Sequence, residues 1–284
     1  MIAAPPVIAI ASGKGGTGKT TVAIHLAVWL AQQGQRVQYI DCDVEEPNGH
    51  LFLKPDIQSS TSATIPVPVI DMELCTSCGK CAEACKFKAI AMLKKPMLFS
   101  ELCHGCGACT LVCPVNAIHE EPRSIGTVET GSAGDILFAH GRLYVGEPMS
   151  PPLIRTVKGQ RAPAAIALLD APAGNSCPVI TTVRGADFVM LVTEPTPFGL
   201  HDLALAVETF RPMNLKIGVV INRADDADQR VQTFCAEQHI PILAELPDDR
   251  RVAEIYARGE LVFNHLPEWR EHFKNLWARI GEHR

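Results

Sequence analysis

Apolar runs separated by amphipathic stretches set the plan of this chain. Val7–Ala11 (VIAIA) is short, apolar and partly β-branched, which suits a strand buried on both faces. The stretch from about Gly18 to Gln33 predicts a helix that Gly34 ends, and RVQYIDCD predicts the next strand, finishing in acids. The alternation resumes late in the chain. AAIALLD (164–170), FVMLVTE (188–194), KIGVVIN (216–222) and IPILAEL (240–246) read as strands, with helical stretches around 199–211, 226–238 and 248–258. Alternating strands and helices predict an α/β fold with a mostly parallel sheet, covered by helices on both faces.

Between these halves the pattern breaks. Residues 55–70 are rich in Pro, Ser and Thr and read as a linker. From about Val67 to Glu121 there is an internal repeat: CTSCGKCAEACKFKAI returns 28 positions later as CHGCGACTLVCPVNAI. A glycine-rich tract with hairpin-like alternation follows (126–147), and PPLIRTVKG predicts a helix leading back to the main unit. The expected organisation is a discontinuous domain of residues 1–60 and 122–284, interrupted by a small α+β insertion at 61–121.

Composition adds little to this until the cysteines are considered. A formal net charge of −5 with both signs mixed gives no reason to expect nucleic-acid binding. MIAAPPVIAIAS lacks a basic leader and reads as a first strand, and no stretch approaches the ~20 apolar residues of a membrane span. A cytoplasmic protein is expected. Of the 11 cysteines, eight fall within Cys75–Cys113 at metal-ligand spacings, which in a reducing compartment favours metal binding over disulfides.

Gly13 to Thr20 fits G-x-x-x-x-G-K-T, after a strand and at the start of a helix. Gly13, Gly15, Gly16 and Gly18 let the backbone curl around a phosphate, with the N–H groups of Thr17 to Thr21 and the helix N-terminus facing it. Lys19 is expected on the β/γ-phosphates and Thr20 on Mg²⁺. Asp170, closing IALLD, is expected to hold that Mg²⁺ through water. The expected ligand is ATP, and the expected reaction class is Mg²⁺-dependent phosphoryl transfer to water.

A second lysine, Lys14, stands five residues before Lys19. With it, KGGTGKT resembles the deviant phosphate loop of the MinD/ParA/Mrp ATPases, a group that includes the nitrogenase iron protein. DCD (41–43) is similar to that family's switch I acids, DAPAG (170–174) to its switch II, VINR (220–223) to its adenine-contacting strand end, and LPDD (246–249) to the loop near the base. The resemblance implies an ATP-bound homodimer in which Lys14 crosses to the partner's phosphates, as an arginine finger does. It also implies Asp43 as the residue orienting the attacking water, Asp41 nearer the metal, Asn222 reading adenine, and Arg223 and Pro247 flanking the base.

Cys75, Cys78, Cys81, Cys85 and Cys103, Cys106, Cys109, Cys113 each follow C-x₂-C-x₂-C-x₃-C, the run of bacterial two-cluster ferredoxins. That resemblance implies two 4Fe–4S clusters with crossed fourth ligands. One would use Cys75, Cys78, Cys81 and Cys113; the other Cys103, Cys106, Cys109 and Cys85. Zinc is the competing metal, though it gives no reason for a third and fourth cysteine to recur at the same spacing. The first run departs from the ferredoxin pattern, with Lys86 where the second has Pro114. An ATPase of this type with such an insertion resembles the Mrp/MinD-type group often labelled cobyrinic acid diamide synthase-like; no amidotransferase or corrin site supports that label.

Three functions follow from the resemblances. They are ATP-gated electron transfer to a partner protein, assembly or delivery of an Fe–S or other metal cofactor, and MinD/ParA-like positioning with redox-sensing clusters. The first two imply a redox or metallocofactor partner, similar to the dinitrogenase iron–molybdenum-cofactor-binding proteins. Cys177 is expected to be buried and unligated. The stretch 266–284 puts Leu266, Trp269, Phe273, Leu276, Trp277 and Ile280 on one helical face, expected to pack on the core rather than on a membrane.

Overall fold

The fold grows from a strand whose alternate side chains serve two different cores. This strand is β1 (Val7–Ala11), and the computed structural model in which it lies describes residues 4–225 and 227–284. Ile8 and Ile10 face one apolar cluster while Val7, Ala9 and Ala11 face the other, as a strand covered on both sides requires. The chain continues through α1 (Lys19–Gln32), β2 (Val37–Asp41), α2 (Gly49–Leu53) and β3 (Asp56–Ile70). The cysteine region contains α3 (Lys80–Ala84), β4 (Ile90–Met92), β5 (Pro96–Leu98) and α4 (Ala108–Leu111). It returns through β6 (Ile118–Ala133), β7 (Ile136–Leu143), α5 (Pro151–Lys158) and β8 (Ile166–Asp170). The last third is α6 (Cys177–Val183), β9 (Phe188–Thr193), α7 (Pro197–Phe210), β10 (Ile217–Ala224), α8 (Arg230–Glu237), β11 (Ile242–Pro247), α9 (Arg250–Ala257) and α10 (Arg270–His283).

One nine-stranded sheet runs β11-β10-β9-β1-β8-β2-β7-β6-β3. The strands from β11 to β7 are parallel, and β6 and β3 are antiparallel additions at one edge. The expected α/β class, with a mostly parallel sheet flanked by helices, is the observed one. The helix expected from 226 has its first residue outside the described residues, as do Met1, Ile2 and Ala3; its described part is α8.

The linker reading of 55–70 is wrong. Those residues form β3, paired with β6 from Asp56↔Ser132 to Ile70↔Ile118. Its second half alternates, with Ala63, Ile65 and Val67 buried and the residues between them exposed. Serine and threonine disguised that period, and the prolines at 66 and 68 are tolerated because β3 is an edge strand. The domain limits at 60/61 and 121/122 consequently fall inside β3 and β6.

The hairpin expected at 126–147 is β6–β7, and its second strand is also a parallel neighbour of β2, with His140 beside Asp41. Because Gly126 pairs with Leu143, residues 125–118 run past the C-terminal edge of the parallel strands by roughly 24 Å at ~3.4 Å per residue. The cysteine lobe (71–117) therefore stands on the side where the phosphate loop opens. It is firmly mounted. Ile65, Val67, Ala89 and Cys103 belong to the same apolar cluster as Val7, Ala9 and Leu191. A two-pronged Arg123–Glu147 ion pair and the Tyr144 N–H to Ile125 O bond of 3.0 Å tie the ribbon to the loop after β7.

The C-terminal face is spent on packing. Leu266, Trp269, Phe273, Leu276 and Ile280 are at most 6% exposed against α1 and the sheet, with Trp277 at the margin. Burying each is worth roughly 2 kcal/mol, which a membrane-seeking helix would forgo. Among the described residues no helix is long and apolar enough to cross a membrane.

Candidate nucleotide site and cysteine lobe

The turn between β1 and α1 supplies the phosphate loop, and Gly13, Gly16 and Gly18 in it are forced by close contact or a left-handed φ. Gly18 has φ 89° and its Cα lies so close to the Asn222 carboxamide that a β-carbon would collide with it. Asn222 Nδ2 donates to Thr17 O at 2.8 Å, so the end of β10 clamps the loop. A cavity of about 460 Å³ opens beside it, in the usual size range for a small ligand. Gly15, Gly16, Gly18, Lys19, Thr20, Thr21, Asp43, Asn222, Arg223 and Pro247 all line this cavity. Sequence positions more than 200 residues apart are thus brought to one surface.

Beneath the cavity, Asp41 and Asp170 are register partners on β2 and β8 and both are buried. Burial, then the neighbouring Asp170, raises the Asp41 carboxyl far above its ordinary range. Its Oδ1 accepts from the Asp43 N–H at 3.1 Å, and its Oδ2 from Asn48 and Gly49 at 3.2 and 3.0 Å, so Asp41 fastens the 43–49 loop. Asp43 is half-buried at the cavity wall, and burial pushes it up to about 6 against the pull of Lys19.

Asp170 divides its two oxygens. Oδ2 accepts the Tyr39 hydroxyl at 2.8 Å; Oδ1 is buried with no hydrogen-bond partner, with Lys19 Nζ 3.8 Å away. Thr17 Oγ1 is a second buried oxygen without a partner. A carboxylate oxygen without a hydrogen-bond partner, close to Lys19 at the start of α1, fits a hard divalent cation such as Mg²⁺. Lys14 lies outside this arrangement. Its Nζ is 3.2 Å from Glu194 Oε2, and Glu194, nearly buried at the end of β9, also takes Arg223 at 2.5 Å. Sequence reasoning missed Glu194 and Tyr39; the available signal was an acid just past one buried strand and a phenol two residues before Asp41.

The cysteines separate into two pockets. One is walled by Cys75, Cys78, Cys81 and Cys113, the other by Cys85, Cys103, Cys106 and Cys109. The fourth cysteine of each run thus lies with the other run's first three. The repeat extends to the backbone. Ser77, Gly79 and Lys88 have left-handed φ of 56°, 81° and 57°, and Gly105, Gly107 and Asn116, each 28 positions on, have 64°, 71° and 51°. N–H to Sγ bonds repeat likewise, from Ser77 and Gly105 to Cys75 and Cys103 at 3.4 Å, and from Ala89 and Ala117 to Cys85 and Cys113 at 3.2 Å.

Such bonds favour thiolate ligands and tune a cluster held there. Among the described residues no three His, Cys, Asp or Glu side chains converge closely enough to hold a single ion. Cys177, expected to be buried, is exposed at the start of α6. There α6 begins at the surface, so its first side chain faces out rather than into the sheet.

The family model for the CobQ/CobB/MinD/ParA nucleotide-binding domain matches residues 8–262. The chain belongs to this family. Among curated relatives, the uncharacterized protein MJ0578 of Methanocaldococcus jannaschii is 31% identical over 283 residues, covering 97% of this chain and 96% of that protein. An iron-sulfur cluster carrier protein of Aquifex aeolicus is 26% identical over 275 residues, covering 91% of this chain and 62% of the carrier. Among solved structures, the cell division ATPase MinD of Pyrococcus furiosus superposes with a TM-score of 0.62 at 22% identity over 98% of both chains. In this CobQ/CobB/MinD/ParA member, the nucleotide cavity sits at the C-terminal edge of the parallel strands, as in open α/β sheets generally.

Tyr39→Phe keeps the ring and removes the donor to Asp170 Oδ2. The Mg²⁺ concentration for half-maximal ATPase is expected to rise about tenfold, from a lost hydrogen bond to a charged group of about 1.5 kcal/mol. The rate at saturating Mg²⁺ should move little, while the melting temperature should fall by about 3–5 °C because the buried Asp170 carboxylate loses a donor. Calorimetric titration of MgADP gives an independent reading, and unchanged metal dependence in both would reduce Tyr39 to packing.

His25 makes a pH prediction. Its Nε2 accepts the Val262 N–H at 2.8 Å and its Nδ1 lies 2.7 Å from Thr21 O, so the neutral Nδ1–H tautomer is built in. Burial pushes its pKa down to about 4. Between the ordinary 6.5 and about 4 only the unfolded chain takes up this proton, so the contribution is complete above pH 6.5 and lost as pH falls towards 4. Urea unfolding free energies at pH 6.5 and 4.5 should show His25→Gln losing about 2 kcal/mol less than the parent over that interval.

Proposed function

We propose that this protein is a Mg²⁺-dependent ATPase holding two 4Fe–4S clusters, and that its nucleotide state governs one-electron exchange with a partner protein. The observation that carries this is the sorting of eight cysteines into two four-cysteine pockets, with the left-handed turns and N–H to Sγ bonds repeated at the same spacing. Cys75, Cys78, Cys81 and Cys113 would hold one cluster, and Cys103, Cys106, Cys109 and Cys85 the other. Bound there, such clusters supply reversible one-electron chemistry at low potential.

On the ATPase side, Lys19 and the loop N–H groups bind the phosphates, Thr20 and the free Asp170 oxygen face the metal, and Asp43 orients the water. The Glu194–Lys14 pair keeps the second lysine at the mouth of the loop, from which it reaches a partner's phosphates when two ATP-loaded copies close. The shared apolar cluster and the Arg123–Glu147 pair support coupling between sheet edge and lobe, and any such coupling is reciprocal.

The test is the midpoint potential of each cluster in anaerobically purified protein, by EPR-monitored titration with and without MgATP, with Asp43→Ala to hold the ATP state. A shift of tens of millivolts supports gated electron transfer; equal potentials overturn it. A second reading, cluster delivery, is favoured by the similarity to the Aquifex aeolicus carrier. It predicts that iron and sulfide move to an apo-acceptor within minutes, faster with MgATP, which a stable redox centre would not show.

A further inference from the structure

The two cysteine pockets are not equivalent towards the outside. The pocket of Cys103 is set inward: Cys103 and Ala89 join the ATPase core, and the Gly105 turn lies against Ile65 and Pro66 of β3. The pocket of Cys78 is set outward, between α3, the β4–β5 hairpin and the end of the lobe. The surface of the lobe as a whole is unusually apolar. Of eighteen exposed large apolar side chains among the described residues, eleven lie between Val69 and Val115, Leu111 at 86% exposure and Leu93 at 73% among them. Isolated exposed leucines need no explanation, but this concentration on 47 residues marks an interaction surface.

Charge identifies the occupant. The segment 79–98, which forms α3, β4 and β5, carries five lysines and one glutamate; Lys80, Lys86, Lys88, Lys94 and Lys95 are all exposed. The segment 99–121, which carries the outer cysteines of the other pocket, has three glutamates and neither lysine nor arginine. The α3–β4–β5 side of the lobe is therefore net basic: Lys80 lines the outward pocket, Lys94 and Lys95 stand between its wall residues Met92 and Pro96, and Lys86 and Lys88 flank Phe87 nearby. Neither feature is used by the ATPase site.

We propose that the α3–β4–β5 side of the lobe is the docking surface for an acidic protein partner with an apolar centre, and that the outward pocket of Cys75, Cys78, Cys81 and Cys113 is the one it faces. Exposed leucine and methionine side chains supply the apolar contact, and the lysine rim steers and orients the partner. Electrons would then pass between partner and outward cluster first, with the inward cluster between it and the ATPase core. The docking surface stands on its own residues; only its redox arm rests on the two-cluster reading.

The probe is cytochrome c whose lysines have been succinylated, which is anionic, beside the unmodified cationic protein. With both partners oxidised, so that no electron moves, titration calorimetry should show the anionic form binding at low salt and weakening at least ~tenfold from about 20 to 300 mM NaCl. Replacing Lys86, Lys88, Lys94 and Lys95 with Glu should abolish that binding. A control with the same charge change elsewhere, Arg36, Lys216, Lys274 and Arg279 to Glu, should retain it. Equal loss in both variants, or none in the first, overturns the docking surface. In the loaded, reduced protein the same four lobe substitutions should slow one-electron reduction of the anionic probe at least ~tenfold relative to the cationic one. Absence of an iron–sulfur chromophore would defeat the cluster reading while leaving the calorimetric result to decide the surface.

Discussion

Lys14→Ala is expected to lower kcat for ATP hydrolysis by about 10³-fold while leaving nucleotide affinity nearly unchanged. The magnitude is that of a cation supplied to the transferring phosphoryl group. Affinity is spared because Lys14 Nζ rests on Glu194, 3.2 Å from its carboxylate, whereas Lys19 lines the cavity. Steady-state hydrolysis and fluorescent-nucleotide titration separate the two effects. Lys19→Ala should lose both.

A mixing experiment decides whether Lys14 acts across a dimer. In a Lys14→Ala/Lys19→Ala pair, the subunit with an intact Lys19 receives Lys14 from its partner, which makes one complete site. An equal mixture should recover about a quarter of the parent activity, since half the dimers are mixed and half their sites are whole. No recovery, with mixed dimers shown by sedimentation in MgATP, would place Lys14 in its own subunit's site.

What the sequence disclosed depended on whether the decisive interaction was local. The phosphate loop, its strand and its helix are contiguous, and a glycine at φ 89° before a helix is written in the residue type itself. The parallel strands were legible because burial on both faces leaves an apolar run with little else it can be. β3 was not. Its stability comes from pairing with β6, sixty residues later, and its alternation is carried by Ala63, Ile65 and Val67 among serines, threonines and prolines that composition assigns to a linker. That error hid the firm mounting of the lobe and the side of the sheet on which it stands.

The same limit applied within the site. Asp170 ends an apolar strand and could be named, but the division of its oxygens between Tyr39 and the loop exists only when β2 and β8 lie side by side. Glu194 follows a strand that carries no motif, and it matters because α7 and the phosphate loop meet there. Gly13 has no room for a β-carbon against the Asp202 backbone. Residue type reveals what a chain segment does to itself. What two distant segments do to each other needs their register.

The cysteine sets give the second large effect, and it tests register directly. Cys85→Ala is expected to remove about four irons and leave the outward pocket loaded, although Cys85 belongs by sequence to the run that supplies that pocket's other ligands. The structure puts Cys85 with Cys103, Cys106 and Cys109, and Cys113 with Cys75, Cys78 and Cys81. Iron and acid-labile sulfide should therefore fall by half in every single-cysteine variant, which alone distinguishes nothing. The EPR spectrum of the surviving cluster does. Cys85→Ala should match Cys106→Ala, and Cys113→Ala should match Cys78→Ala. If each run instead served one cluster by itself, Cys85→Ala would match Cys78→Ala. The crossed arrangement has a structural consequence as well. Each pocket then joins α3 to α4, so loss of either cluster should loosen both halves, and proteolysis within 71–117 should accelerate in all four variants while cleavage of the ATPase core does not.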